Sequence, residues 1–267
     1  MAFSDILYDI TDSVATVTIN RPAKLNSVTA DTLREIETAL HMAGNDPEVG
    51  VVVLTGAGDK AFCTGADVSW QREGKMGTTG PDVFAPPYMM FLRCPKPVIA
   101  RVNGYAIGGG NHFAYFCDLT IAADHAVFGQ SEPRVAFPQS GATLGYLARL
   151  IGHKRAREMW MMGRKYDART MKDWGLVNEV VPLADLDAEV RKWCDELLAV
   201  APTCLKLYKA SFIEEFNDLL GQGDFLRRWI VPDDYRETEQ REGTSAFLEK
   251  RRPDYAAFRR PSKKEDR

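Results

Sequence analysis

The chain of 267 residues has no long apolar run. No stretch approaches the ~20 uninterrupted apolar residues that a bilayer-spanning helix needs, so no membrane partner is expected. Met1 to Ser13 is acidic and lacks a basic segment followed by an apolar one, which argues against a secretory signal and against an Arg-rich transit peptide. Cysteine is scarce. The five residues (Cys63, Cys94, Cys117, Cys194, Cys204) are odd in number and form no close pairs, so they show neither a disulfide framework nor metal-ligand spacing. Each reads as a small buried apolar residue, and the expected compartment is a reducing, cytoplasmic one. Neither sign of charge dominates: 34 Lys plus Arg stand against 37 Asp plus Glu, for a net charge of -3. That balance gives no overall basic field to attract nucleic acid. The basic runs Lys250-Arg251-Arg252 and Arg259-Arg260 read as solvated surface. The chain also lacks a Gly-x-Gly-x-x-Gly dinucleotide fingerprint and a P-loop ending in Gly-Lys-Ser/Thr.

What is present is an ordered alternation. Val14 to Ile19 is rich in β-branched residues and ends at Asn20-Arg21-Pro22, as a strand running into a loop would. Thr29 to Thr32 opens a helix whose Leu33, Ile36 and Leu40 share a face. Val49 to Leu54 is a short continuous apolar run between turn signals, the pattern of a buried strand. Lys96 to Val102 reads as the next strand, Gly108-Gly109-Gly110 as a turn, and Asn111 to Cys117 as the start of a helix. Leu119 to Ala122 and Ala126 to Gly129 read as further strands. Helical spacing then dominates, over Arg155 to Met162, Ala168 to Trp174, Leu183 to Ala199 and Pro202 to Phe216. The order predicts an α/β core of strand-strand-helix units followed by a helical appendage. Residues 72–87, with three prolines and three glycines, have little apolar periodicity and read either as a substrate lid or as a surface excursion.

Two glycine-bearing turns follow strands: Ala61 to Asp67 and Asn103 to Gly110. Glycine lets a backbone approach a ligand closely, and at a helix start several N–H groups lack partners in a field that favours negative charge. A pair of such donors can hold an oxyanion, each worth ~2.7–4 kcal/mol in a transition state. A lone glycine triplet equally serves tight helix–strand packing.

Taken together, the motifs resemble the crotonase (enoyl-CoA hydratase/isomerase) family over nearly the whole chain. The resemblance is carried by Asn20-Arg21-Pro22 with Lys24-Leu25-Asn26, Ala61-Phe62 with Gly65-Ala66-Asp67, and Lys96 to Gly110. It continues through Cys117-Asp118 to Ala123, Phe128-Gly129-Gln130, and Gly175 to Pro182. It implies a crotonase-like spiral of ββα units, with a catalytic core over residues 1–200 and a helical oligomerisation region over 201–267. Trimers, commonly paired into hexamers, are implied as well. The substrate would be an acyl-CoA thioester, with no separate cofactor and no metal. The matching positions make the N–H groups of Ala66 and Gly109 the oxyanion hole. Lys24, Leu25, Gly65, Ala66, Asp67, Tyr105, Gly108 and Ser131 would line the bound CoA thioester.

Hydratases of this family carry two glutamates. Here Glu132, after Phe128-Gly129-Gln130-Ser131, matches the second, while His112 stands at the place of the first. His112 is then either an acid/base or a wall of the acyl pocket. Ala156 to Trp160, Val181-Pro182-Leu183 and Arg241-Glu242-Gly243 resemble a subgroup containing 1,4-dihydroxy-2-naphthoyl-CoA synthase and 2-ketocyclohexanecarboxyl-CoA hydrolase. By that likeness Tyr235 reaches a substrate pocket and Lys250 meets CoA phosphates. Glu132 replaces the glycine usual in that synthase, and Gln139 and Ser140 lie where it has an aspartate, so naphthoate synthesis is not the expectation. Three readings follow: hydration or dehydration of an enoyl-CoA; isomerisation or C–C cleavage of a cyclic β-keto acyl-CoA; and a non-catalytic CoA- or RNA-binding homologue. The first is preferred.

Overall fold

The computed structural model describes residues 3–72, 88–214, 234–255 and 258. Most of the irregular 72–87 stretch, Arg259-Arg260 and the last two residues of the expected helix over 202–216 fall outside them.

Ten strands occur among the described residues, in two sheets. The larger contains β1 (Ile6–Thr11), β2 (Val14–Ile19), β3 (Val51–Gly56), β5 (Val98–Val102), β7 (Leu119–Ala123) and β10 (Glu179–Val181), in that spatial order. Only β1 runs antiparallel to its neighbour. The smaller sheet contains β4 (Ala61–Cys63), β6 (Tyr105–Ile107), β8 (Val127–Gly129) and β9 (Lys165–Asp167), with β9 antiparallel. The chain therefore visits the large sheet, then the small one, three times in succession: β3 to β4, β5 to β6, β7 to β8. The helices α1 (Ala30–Asn45), α2 (Val68–Arg72), α3 (Met89–Arg93) and α4 (Gly109–Phe116) complete the turns of this ββα spiral. Further along come α5 (Ala142–Ile151), α6 (His153–Met162), α7 (Ala168–Trp174), α8 (Leu186–Leu198), α9 (Pro202–Glu214) and α10 (Glu239–Leu248).

The large sheet is covered on both faces, which is why β3 is buried at every position and reads as an unbroken apolar run. Its residues still alternate. Val52 and Leu54 join the main core with Phe62, Phe113, Phe116 and Phe128. Val51 and Val53 face the other side with Ile99, Ile121 and the α8 residues Leu186, Val190 and Cys194. The expected α1 is present, capped by Thr29, with Ile36 and Leu40 buried and Leu33 packed at the core's margin. One expectation needs correction at the glycine triplet. Gly109 and Gly110 are already helical and Gly108 is the N-cap, so α4 begins two residues before Asn111. Four of the five cysteines are buried and all are free, as small apolar residues would be. Among the described residues no helix is long and apolar enough to cross a membrane.

Beyond residue 200 the chain is tied back to this core. Lys209 of α9 is buried; its Nζ donates to Lys96 O at 2.9 Å and pairs with Asp118 Oδ2 at 2.7 Å. Asp118 Oδ2 also accepts Val98 N–H.

Candidate active site

The turns that end β4 and β6 touch. Gly65 (φ +83°) and Gly108 (φ +57°, ψ −123°) adopt conformations that residues with a Cβ rarely take. A Cβ on Gly65 would stand 2.8 Å from Gly109 N, and one on Gly109 would stand 3.9 Å from Ala66 N. The two amide nitrogens thus border one another across a seam that only glycine leaves open.

Each of these peptide groups has its carbonyl engaged. Val28 N–H donates to Gly65 O at 2.8 Å, and His112 N–H donates to Gly108 O at 3.0 Å. In a trans peptide the C=O and N–H point in opposite directions. The N–H of Ala66 therefore points away from Val28, and that of Gly109 points away from α4. Among the described residues no acceptor receives either one. Ala66 and Gly109 are partly exposed, whereas Gly65, Gly108 and Gly110 around them are buried. Gly109 N–H also stands at the start of α4, where the helix dipole favours an anion. The arrangement can accept a negatively charged oxygen.

Next to this seam lies the carboxyl group of Glu132. It follows β8 in a short 3-10 turn (Glu132–Arg134), and its Oε1 lies 3.2 Å from the position a Gly108 Cβ would take. Ser131 Oγ is 2.7 Å from that same position. Glu132 is only 7% exposed, and loss of hydration raises its pKa to about 7. Its nearest titratable neighbour is His112, on the first turn and a half of α4, with Nε2 at 3.3 Å from Glu132 Oε1. Burial holds His112 down to about 3, so its imidazole is neutral across the physiological range. The Gln130 side chain lies within polar reach of this ring and slightly favours its charged form, without completing a hydrogen bond of its own. Trp160 of α6 packs 5.6 Å from the imidazole, centroid to centroid. His112 Nε2, Glu132 Oε2, both amide atoms of Gln130 and Trp160 Nε1 are buried without a protein partner, a concentration of unmet polar groups around the acid. Sequence reasoning placed His112 and Glu132 at separate motifs; it had no signal for Trp160 as their neighbour.

The remaining sequence candidates distribute as follows. Leu25 and Tyr105 meet at a surface cleft of about 360 Å³, which Asp59, Lys60, His125 and Leu183 also line. Lys24 is exposed at the end of a 3-10 turn. Asp67 caps α2 by accepting Ser69 N–H. Tyr235 donates its hydroxyl to Ala136 O at 2.8 Å, so it braces the segment that follows Glu132. Lys250 is exposed at the end of α10. Its neighbour Arg251 is committed to Glu242 through two hydrogen bonds of 2.6 and 2.9 Å.

Residues 9–258 match the family model described as enoyl-CoA hydratase/isomerase. Among solved structures, the chain is similar to an enoyl-CoA hydratase from Mycobacterium avium subsp. paratuberculosis K-10. The two are 28% identical over 96% of this chain and 100% of the other, with a TM-score of 0.80. An enoyl-CoA hydratase/isomerase from Xanthobacter autotrophicus Py2 is 29% identical over 98% and 100%, at 0.78. A carnitinyl-CoA hydratase from Mycobacterium avium is 29% identical over 95% and 98%, at 0.79.

Proposed function

From the premise that this chain belongs to the enoyl-CoA hydratase/isomerase family, we propose that it adds or removes water at an enoyl-CoA through a thioester enolate. Ala66 N–H and Gly109 N–H hold the enolate oxygen, Glu132 is the principal acid/base, and His112 assists it. The observation that carries this reading is the placement of a buried, near-neutral-pKa carboxyl group beside two unclaimed main-chain donors.

In the hydration direction, ionised Glu132 takes a proton from water as the water oxygen bonds to the β-carbon. The C=C electron pair moves toward the carbonyl, and the thioester oxygen takes up negative charge between the two N–H groups, each worth ~2.7–4 kcal/mol there. Glu132 then returns the proton to the α-carbon as the enolate collapses. A carboxyl group titrating at about 7 suits both halves of the cycle, because neither protonation state is scarce near neutrality. Neutral His112, whose Nε2 lies 3.3 Å from Glu132 Oε1 without a completed hydrogen bond, is placed to donate to the water or to that oxygen rather than to act as an imidazolium acid. Leu25, Tyr105, Lys24, Asp67 and Ser131 contact the CoA thioester, which is the substrate itself; no redox group is required because the thioester supplies the α-carbon acidity.

A second reading draws on His112 standing where hydratases of the family carry their first glutamate. A single carboxyl group that shuttles a proton between two carbons is enough for double-bond isomerisation. For C–C cleavage of a cyclic β-keto acyl-CoA the same group would take a proton from water as the water adds to the ring ketone. The thioester enolate would leave, and the proton would be returned to its α-carbon. A panel of enoyl-, hydroxyacyl- and cyclic β-keto acyl-CoA thioesters, scored by mass, separates the two. Gain of water by the enoyl-CoA class or loss of water by the hydroxyacyl-CoA class supports the hydratase reading. Turnover of the enoyl-CoA class without mass change supports the isomerase, and gain of water by the cyclic β-keto class supports ring cleavage. Glu132→Gln should lower either turnover by about 10²–10⁴-fold while thioester binding persists. Full turnover by that variant would remove both.

The exposed side chains of α9, Leu207, Tyr208 and Phe212, give it an apolar face. We propose that other copies of the chain cover this face in a trimer.

A further inference from the structure

We propose that Arg21 is a positioning residue that brings positive charge to the Ala66 donor through two peptide groups in series. This rests on the reading of Ala66 N–H as an oxyanion donor and goes beyond it, because Arg21 is itself remote from the reacting atoms.

The path is continuous. Arg21 Nη1 donates to Ser27 O. Ser27 O and Val28 N–H belong to one peptide group, and Val28 N–H donates to Gly65 O at 2.8 Å. Gly65 O and Ala66 N–H belong to the next, and that N–H is the one left without an acceptor. Each link donates into a carbonyl whose opposite end is the following donor. Serial hydrogen bonds of this kind strengthen one another by roughly 10–30% per bond. A guanidinium is the strongest donor available to start the series, because it carries a full charge at every relevant pH.

The path is also rigid and dry. Ser27 and Val28 are 8% and 3% exposed. Val28 grips both flanks of Ala66, since its O accepts Asp67 N–H at 2.9 Å while its N–H holds Gly65 O. Asn26, fully buried, accepts Arg21 N–H at 3.0 Å and donates to Ala57 O at 3.0 Å and Ala61 O at 2.7 Å. The guanidinium is held in place by Asp5 and Asp67, each at 3.5 Å. Its two carboxylate partners offset the cost of burying it, and the fork geometry fixes which nitrogen meets Ser27 O.

The alternative is that Arg21 only fastens a loop. The two accounts differ in the bound carbonyl. The carbonyl stretch of a bound unreactive enoyl-CoA analogue, measured by difference infrared, reports how strongly the donors polarise it. We expect a downshift on binding to the unaltered protein and a large part of it lost in Arg21→Met. The same variant should lose about tenfold in kcat with KM changed less than about twofold, as for weakening of one oxyanion donor. Arg21→Lys, which keeps the charge, should restore more of the shift than Arg21→Gln, which keeps only a donor. If Arg21→Met does not fold, that Lys/Gln comparison decides. A wild-type stretch in Arg21→Met, or equal shifts in the Lys and Gln variants, overturns the proposal. No downshift in the unaltered protein would instead sink the oxyanion reading itself.

Discussion

A carboxyl group kept from water costs stability whenever it ionises, and Glu132 makes that cost measurable. Its native pKa, about 7, is above the ordinary 4.5, so the folded chain holds this proton more tightly than the unfolded chain does. The contribution is intact below about pH 4.5 and is lost as pH rises through 7. His112 runs the other way: with its native pKa lowered to about 3 from 6.5, it contributes fully above about pH 6.5 and loses that contribution as pH falls toward 3. Between about 4.5 and 6.5 the two slopes oppose each other. Glu132→Gln removes only the first. By urea unfolding at pH 8, that variant should be more stable than the parent by roughly 1–3 kcal/mol, and the gain should vanish near pH 4.5. No gain at pH 8 would mean the carboxyl group is better solvated than its burial implies. In catalysis, kcat/KM for hydration should rise with pH to a plateau through a single inflection near 7, with none belonging to His112.

Between residue and fold stand the short strands and turns that carry the site. Gly108 joins β6 to α4 in a backbone conformation that other residues pay about 1–3 kcal/mol to adopt. An added Cβ would also press within 2.7 Å of Ser131 Oγ and 3.2 Å of Glu132 Oε1. Gly108→Ala should therefore lower the melting temperature and cut turnover by more than about tenfold; a variant with normal turnover would show that the Glu132 turn can shift freely. Some of the longer elements were legible in the sequence, whereas β1, α5 and α10 were not. β2, β3 and β5 announced themselves through β-branched or continuous apolar runs, and α1 through its cap and spacing. The small sheet was not. β4, β6, β8 and β9 have three residues each, too few for a period to emerge, and only the β8 segment read as a strand. The same holds for the contact between His112 and Trp160, and for the path from Arg21 to Ala66. Both join segments far apart in sequence, through groups whose alignment only the packed chain creates.

At the scale of the molecule, the C-terminal segment does two things. One side reaches inward: α10 packs against α2, just after Ala66, and against the turn bearing Glu132, while Tyr235 holds Ala136. The other looks outward, where Phe212 is 76% exposed beside Leu207 and Tyr208. A side chain of that size rarely remains in water on a contiguous apolar face. Phe212→Asp should shift the sedimentation coefficient to that of a single chain, with the circular dichroism of the fold retained; an unchanged sedimentation profile would place the assembly surface elsewhere. The inward role has its own corollary for how the site can be probed or can diverge. Both candidate donors are amide nitrogens of the polymer itself. Scanning mutagenesis swaps what hangs from the chain and leaves those atoms untouched, so an alanine scan is blind at position 66, already alanine, and at 109 would report only the crowding of an added Cβ against Gly65. Proline, or an ester linkage introduced through a hydroxy acid, would be needed to delete them. Natural variation faces the same barrier, which leaves the neighbouring side chains free to change the reaction around an anion cradle that codon changes seldom reach.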